Sequence, residues 1–241
     1  MNTFLKNASV ALLALGLSTV TLALPADFDA KLQDPARPQT DKDRDAARKP
    51  RETMETLGVQ EGWTVIDVSA GGGWFTHVIS AAVGPNGKVL AQFGTRPLET
   101  NNGQAQKDMA ARLGNVEPVF AAMSEIPANS ADAAVTALNF HDAYNFRGEE
   151  GAQAFLKDIF NALKSGGIAA IIDHEGNEGN DNQALHRLPK SIAREQIQKA
   201  GFEIVSESDV LDNPEDDHSL EVRDTTLGRA TDQFFFVVRK P

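Results

Sequence analysis

The chain has 241 residues, of which 41% are hydrophobic and 24% charged, and its formal net charge is −11 at pH 7. This length fits one sizeable domain with an extension, and the composition is that of a globular protein rather than a disordered one. The negative charge argues against broad nucleic-acid binding, which uses a basic face. Cysteine is absent, which excludes disulfides, thiolate metal sites and a lipid-modified N-terminal cysteine.

The N-terminal residues are typical of an export signal. Lys6 precedes a long apolar run, and Ala23 and Ala26 are small residues at which signal peptidase could cut. Several hydroxyl residues interrupt the run, which makes it marginal for a spanning helix of about 20 apolar residues. We therefore predict a signal peptide over 1–23, export to the periplasm, and no stable membrane insertion once the signal is removed.

The segment that follows has two parts. Residues 24–40 contain three prolines and little apolar periodicity, which predicts an extended lead-in. Residues 41–57 are charged and helix-prone, and Pro50 divides them. Two interpretations of their arginines are open: a solvated helix face paired with neighbouring acids, which we favour, or a lid over an anionic part of a ligand. These arginines are Arg44, Arg48 and Arg51.

Strand and helix patterns alternate through the rest of the chain. Such alternation implies right-handed parallel crossovers and a sheet covered by helices on both faces. The last two strands are joined by an acidic loop without a helical pattern, so the last strand is predicted to run antiparallel. We predict one domain over 41–241, an α/β Rossmann-like three-layer sandwich with a seven-stranded, mostly parallel sheet. The predicted strands are 63–68, 88–93, 116–120, 132–138, 167–173, 202–208 and 233–239, and the predicted helices are 74–83, 102–113, 149–164 and 189–200.

A glycine-rich turn, Ser69-Ala70-Gly71-Gly72-Gly73, joins the first predicted strand to the first predicted helix of this domain. Such a turn lets a ligand approach the backbone closely and presents N–H groups at the helix start, which favours nucleotide-like or carboxylate-bearing ligands. A dinucleotide fingerprint would need glycines at positions 69, 71 and 74. Ser69 and Trp74 occupy the outer two, and tryptophan at the third would block close helix–strand packing.

A second pattern, acid-x-G-x-G-x-G, matches Asp67, Gly71 and Gly73, with Ser69 in place of the first glycine. This pattern resembles class I S-adenosylmethionine-dependent methyltransferases, and the strand order and helix-poor ending are also similar. Three phrases are similar to a narrower group of exported, predicted methyltransferases: Asn139-Phe140-His141-Asp142, His186-Arg187 and Thr231-Asp232-Gln233-Phe234-Phe235.

The resemblance implies that S-adenosyl-L-methionine is the cofactor and that the glycine turn holds its amino-acid end. Gln92 falls where the family has an acid that accepts both ribose hydroxyls. A neutral hydrogen bond contributes about 0.5–1.5 kcal/mol against roughly 1.5–3 for a charge-assisted one. Met123, after the third strand, offers an apolar wall near the adenine. The expected cofactor-binding residues are Asp67, Ser69, Ala70, Gly71, Gly73, Gln92, Met123 and Asn139.

The candidate catalytic residues follow the fourth predicted strand, at the sheet edge where open α/β folds bind ligands. His141 is a candidate general base, and Asp142 could orient it or bind a metal. Tyr144, with Asn139, could position a polar substrate. The competing interpretation is a local hydrogen bond between His141 and Asp142 within a loop.

The fifth predicted strand ends in Asp173-His174-Glu175, and His186 follows in the next loop. With the residues after the fourth strand, these side chains form either an oxygen and imidazole cluster for a divalent metal or the polar rim of a pocket. Because neighbouring strand residues point to opposite faces, we expect Asp173 and Glu175 to share a side and His174 to face away. No residue is assigned to a metal site.

The sequence therefore predicts an S-adenosylmethionine-dependent methyltransferase acting on an unidentified small molecule, with no nucleic-acid partner. One alternative is a non-catalytic exported binding protein on the same fold, because export separates the chain from the cytosol, where the cofactor is made. The other is a metal-dependent enzyme that uses His141, Asp142 and Asp173 for a different reaction.

Overall fold

The computed structural model describes residues 24–228 and 230–241. The predicted signal peptide lies outside the described residues. The strands are β1 Thr64–Val68, β2 Lys88–Gln92, β3 Val116–Val119, β4 Ala131–Ala137, β5 Leu163–Gly176, β6 Leu188–Pro189, β7 Glu203–Ser208 and β8 Gln233–Arg239. The helices are α1 Phe28–Leu32, α2 Gln39–Lys42, α3 Asp45–Arg48, α4 Pro50–Leu57, α5 Trp74–Val83, α6 Arg96–Asn101, α7 Gln104–Leu113, α8 Phe140–Ala162, α9 Asn182–Leu185 and α10 Lys190–Lys199.

The strands form one sheet in the order β3-β2-β1-β4-β5-β8-β7, and the short β6 pairs with β5 off this path. The first five strands pair in parallel, and β8 runs antiparallel to both β5 and β7. The α/β sheet with an antiparallel last strand is therefore confirmed. The parallel strands end at a common edge, and the glycine turn lies at this edge.

Alternating side chains of the strands enter two separate cores, one on each face of the sheet. In β1, Ile66 and Val68 pack with α8 and α10, whereas Val65 packs on the opposite face with α4 and α5. In β8, Phe234 enters the first core and Phe235 the second. This two-sided burial is what a mostly parallel sheet requires, and it gives the three predicted layers.

The structure corrects two expectations about helices. Residues 28–32 form α1 rather than an extended chain, because Phe28 and Leu32 lie one turn apart and both bury their side chains. Helix α8 begins at Phe140, nine residues before the predicted start at 149. Gly148 inside it has φ 64° and ψ −168°, so two helical pieces meet at a kink. None of the helices among the described residues is long and apolar enough to cross a membrane.

The short helices α2 and α3 are held over the start of α5 by Trp74. The indole N–H of Trp74 donates to the carbonyl oxygen of Asp41 at 3.1 Å and to Asp45 Oδ1 at 3.0 Å. Asp45 also accepts two hydrogen bonds from the buried guanidinium of Arg37, and Arg48 stacks 5.0 Å from the Trp74 ring centre. Trp74, which argues against a dinucleotide fingerprint, therefore anchors the N-terminal segment.

Candidate functional site

The glycine turn has the backbone shape that the sequence pattern predicts. Ser69 adopts φ 53°, Gly71 φ 55° and Gly73 φ 87°. Ser69 therefore takes up the left-handed conformation that glycine adopts most easily. Its N–H donates to the side-chain oxygen of Gln92 at 2.9 Å, and the Ala70 N–H donates to the Gln92 carbonyl oxygen at 2.8 Å. These bonds stabilise a turn that contains a serine at a strained position.

The turn is open towards solvent at its centre. Gly71 and Gly72 are exposed, and in the described part of the chain no backbone acceptor takes their N–H groups. A Cβ atom added at Gly72 would meet nothing within 4 Å, whereas one added at Gly73 would lie 2.5 Å from Met109 Sδ. The turn thus packs tightly where α5 begins and leaves room for a ligand above Gly71 and Gly72. This arrangement fits the carboxylate at the amino-acid end of the expected cofactor.

Asp67 lies beneath the turn and is buried. Its Oδ2 accepts a hydrogen bond from the Thr76 hydroxyl at 2.6 Å, which ties the end of β1 to the first turn of α5. Burial raises the pKa of Asp67 to about 7, although the Thr76 hydrogen bond and the charge of Arg48 act in the opposite direction. In this structure Asp67 braces the turn from below, and its direct contact with a cofactor remains a prediction.

Gln92 is buried, and both ends of its amide already have partners. Besides accepting from Ser69, it donates from Nε2 to the Ala121 carbonyl oxygen at 2.8 Å. The residue after it, Phe93, lies beside Gly71 in the wall of the neighbouring cleft, together with Thr100 and Asn101 of α6. A ribose contact by Gln92, which remains a prediction, would need one of these hydrogen bonds to be exchanged.

The buried Asp173 carboxylate, at the end of β5, organises the start of α8. Its Oδ2 accepts the backbone N–H of His141 at 2.7 Å, and its Oδ1 accepts the His141 Nδ1–H at 2.6 Å and the His174 backbone N–H at 2.8 Å. Burial lowers the pKa of His141, but the Asp173 hydrogen bond and the charges of Asp173 and Asp142 outweigh it, so the net shift is upward. Asp173 therefore fixes which nitrogen of His141 faces outward.

His174, the residue after Asp173 in β5, borders the same cavity as His141. The two imidazole rings are 5.6 Å apart, and His174 Nδ1 lies 2.6 Å from the Thr231 hydroxyl oxygen. His174 pairs with Gln233 of β8, so strand alternation still places it on the opposite face of the sheet from Asp173. Burial lowers the pKa of His174 to about 4, so this imidazole is neutral at pH 7.

His141 and His174 border a cavity of about 770 Å³ between the sheet edge, the N-terminal segment and the C-terminal loop. The backbone of Leu138, at the end of β4, has φ 62°, a rare conformation for a residue of this kind. The loop residues could not be predicted from the sequence, because the stretch before β8 has no periodic pattern. The cavity is lined by Thr40, Asp43, Arg44, Ala47, Arg48, Leu138, His141, Asp142, His174, Val222, Arg223, Gly228, Thr231 and Gln233.

Three further predicted site residues, Asn139, Met123 and Tyr144, have structural contacts and are not among the described residues that line the cavity. Asn139 caps its own strand end by donating to the Ala137 carbonyl oxygen at 2.7 Å, and Met123 is buried in the core beside α8. Tyr144 packs against that same core and is not among the described residues that line the cavity. The catalytic role of Tyr144 and the cofactor contacts of Asn139 and Met123 remain predictions.

Two further expectations concern charged residues. Arg44 pairs with Asp41, and Arg51 pairs with Asp29 and Glu55, as the favoured interpretation of this helical segment predicts. Arg44 nevertheless also lines the cavity, together with Arg48. Glu175 does not join Asp173 at His141; its backbone oxygen accepts from Arg187 at 2.9 Å.

Comparison with known proteins identifies the family. The model of the ubiE/COQ5 methyltransferase family matches residues 45–181, more than half of the chain. The chain belongs to this family. A demethylmenaquinone methyltransferase of Staphylococcus aureus (strain JH9) is 27% identical over 124 residues, 51% of this chain and 48% of that protein. The chain therefore matches about half the length of this curated relative.

Solved structures support the same fold. A crystal structure of a SAM-dependent methyltransferase from Aquifex aeolicus aligns with a TM-score of 0.61 and 21% identity, covering 88% of this chain and 96% of that one. A Burkholderia thailandensis 1,6-didemethyltoxoflavin-N1-methyltransferase, solved with S-adenosylhomocysteine, aligns with a TM-score of 0.57 and 19% identity, covering 89% and 85%. The family model thus gives the family of the chain and the solved structures give its fold. Neither comparison identifies a substrate.

The raised pKa of Asp67 predicts a distinctive dependence of stability on pH. Between the unfolded pKa of 3.8 and the folded value of about 7, the native state holds a proton that the unfolded chain has released, so stability falls as pH rises through this range. At about 1.4 kcal/mol per pKa unit, the fall attributable to Asp67 is at most about 4 kcal/mol. Urea unfolding from pH 4 to 8 gives the free energy of unfolding of wild type and of Asp67→Asn. The contribution of Asp67 is the change with pH in the difference between these two free energies. Thr76→Val removes the hydrogen-bond donor to the carboxylate and should make the fall in stability larger. If the free energies of unfolding of wild type and Asp67→Asn change in parallel with pH, the burial effect is refuted.

Proposed function

We propose that this protein transfers a methyl group from S-adenosylmethionine to a small-molecule acceptor bound in the cavity. The observation that carries the proposal is the open backbone at Gly71 and Gly72 at the same sheet edge as a cavity lined by Leu138 and His141. Membership in the methyltransferase family supports the reaction class. The similar fold of the Burkholderia thailandensis enzyme, which binds S-adenosylhomocysteine in its crystal structure, supports the cofactor.

The residues of the turn would hold the amino-acid end of the cofactor. The N–H groups of Gly71 and Gly72 are accessible, and the start of α5 adds the positive end of a helix dipole. Phe93 and the polar residues of α6 border the neighbouring cleft and would face the nucleoside. Bound there, S-adenosylmethionine would supply an electrophilic methyl group on a sulfonium centre.

The chain itself would position the acceptor and keep water away from it. The short helices α2 and α3 cover one side of the cavity, and the Trp74 hydrogen bonds hold them in place. His141, fixed by Asp173, and His174, fixed by Thr231, present imidazole groups at the wall. Methyl transfer depends mainly on alignment of two reacting atoms, which such a rigid, enclosed wall favours.

Replacing Gly72 tests the cofactor site without straining the backbone. The φ of Gly72 lies outside the left-handed region and its Cβ position is open, so Gly72→Leu should fold but cover the exposed N–H groups. We expect full-length wild type to bind S-adenosylhomocysteine in isothermal titration calorimetry and Gly72→Leu to bind at least ten times more weakly. Ala111→Leu, which adds the same bulk to an exposed position of α7, is the matched control and should bind like wild type.

Thermal melting of both variants checks that they are folded. Equal affinity in wild type and Gly72→Leu would place the ligand elsewhere, and the absence of any binding of S-adenosylmethionine or S-adenosylhomocysteine to wild type would overturn the proposed function.

We also propose that the protein is exported and acts in the periplasm. The lysine and apolar run of the N-terminus support this proposal. Of the two small residues at which the signal could be cut, Ala23 fits better, because Leu24 is only 8% exposed and packs in the core. A cut after Ala26 would remove this packed side chain.

Cell fractionation followed by mass spectrometry tests the location. We expect periplasmic protein whose first residue is Leu24. Recovery of the uncleaved chain from the cytosol alone would refute export while leaving the proposed reaction untouched.

A further inference from the structure

Three side chains that can bind metal ions meet at the rim of the cavity. His141 Nε2 lies 3.1 Å from Asp142 Oδ1, and His186 Nδ1 lies 3.2 Å from the same oxygen. All three ligand atoms lie within 4.8 Å of one another. We propose that His141, Asp142 and His186 bind a divalent transition-metal ion, and that this ion coordinates an oxygen atom of the methyl acceptor. The second part rests on the proposed function.

The spacing of these atoms is close to that of a metal centre. Bonds of about 2.0–2.2 Å from a metal to imidazole nitrogen and carboxylate oxygen place neighbouring ligands roughly 3.0–3.4 Å apart. The two contacts with Asp142 already lie in this range. The two imidazole nitrogens lie within 4.8 Å of each other and would need to come closer. Because Asp173 holds His141, this adjustment would fall on His186 and on the half-exposed side chain of Asp142.

The proposed site also has the support that metal-binding histidines need. A histidine ligand usually donates its other ring nitrogen to a carboxylate, which fixes the orientation of the ring and makes it a stronger ligand. Asp173 does this for His141 at 2.6 Å and is itself fully buried. The ring of His186 lies 5.7 Å from that of His141 and 5.5 Å from that of Phe146, so these two rings flank it beside the cluster.

The donor set selects the class of metal. Two imidazole nitrogens and one carboxylate suit Zn²⁺, Co²⁺, Ni²⁺, Fe²⁺ or Mn²⁺, whereas Ca²⁺ and Mg²⁺ prefer oxygen donors throughout. Three protein ligands leave coordination positions open. Because His141 and Asp142 line the cavity, these open positions would face the acceptor.

The metal would then determine which acceptors react. A hydroxyl, phenol or enol oxygen bound to the ion has a lowered pKa and releases its proton to water. The resulting oxyanion, or a carbon conjugated with it, attacks the sulfonium methyl carbon. The carbon–sulfur bond breaks, its electron pair stays on sulfur, and the methylated acceptor and the thioether product leave. The acceptor is therefore an oxygen-bearing small molecule whose oxygen binds the metal.

Cobalt titration of the full-length, metal-free protein tests the site. We expect one Co²⁺ per chain with visible absorption bands typical of nitrogen and oxygen ligands, and affinity at least tenfold lower in His186→Asn. His218→Asn is the matched control, because His218 also pairs with a carboxylate, Asp232, at 2.8 Å, but outside the proposed cluster. This control should bind Co²⁺ like wild type.

A second measurement tests the open coordination positions. Acetohydroxamate, a small ligand with two oxygen donors, should shift the Co²⁺ bands of wild type. No Co²⁺ binding, or equal binding by wild type and His186→Asn, would overturn the metal site, and unchanged bands with acetohydroxamate would overturn coordination of the acceptor. Because the titration contains no S-adenosylmethionine, a negative result is separate from failure of the proposed function, which S-adenosylhomocysteine binding measures.

Discussion

The site depends on the buried carboxylate of Asp173. A charged group without access to water is stable only when its oxygens are hydrogen-bonded, and here three N–H groups satisfy this requirement. Two of them belong to His141, so the end of β5, the start of α8 and the orientation of one imidazole are fixed together. The position of α8 then sets one side of the cavity, which α2, α3 and the C-terminal loop complete.

The two strands at the centre of this edge end in unusual backbone conformations. Ser69 after β1 and Leu138 after β4 both have positive φ, which costs roughly 1–3 kcal/mol each and persists only where neighbouring groups hold it. Gln92 holds Ser69, and the Ile172 carbonyl oxygen accepts the Leu138 N–H at 2.9 Å. Gln92 occupies the position of the expected ribose-binding acid, and in this structure it has a structural role. Its side-chain amide holds the turn in which Ser69 replaces the first glycine of the pattern.

The sequence predicted most of the strands because they are short, largely apolar runs between turn residues, whereas the two-residue β6 was not predicted. The common edge of parallel strands brought Asp173 and His141 together correctly. Short elements were harder. Helix α1 was not predicted because only two of its five residues are buried, which gives little periodic pattern. The first part of α8 was not predicted because Gly148 interrupts the helical pattern. The approach of His174 to His141 was not predicted, because strand alternation gives the face of a side chain but not its distance from a cavity at the sheet edge. Thr231 follows an irregular loop, so its contact with His174 had no periodic signal.

A crystal structure of the protein with S-adenosylhomocysteine tests the central claim most directly, namely that the turn after β1 and the cavity beside Asp173 form one methyl-transfer site. The account predicts the carboxylate of the ligand at the N–H groups of Gly71 and Gly72, with its sulfur facing the cavity between Leu138 and His141. A ligand bound away from this turn, or with its sulfur directed away from His141, would contradict it.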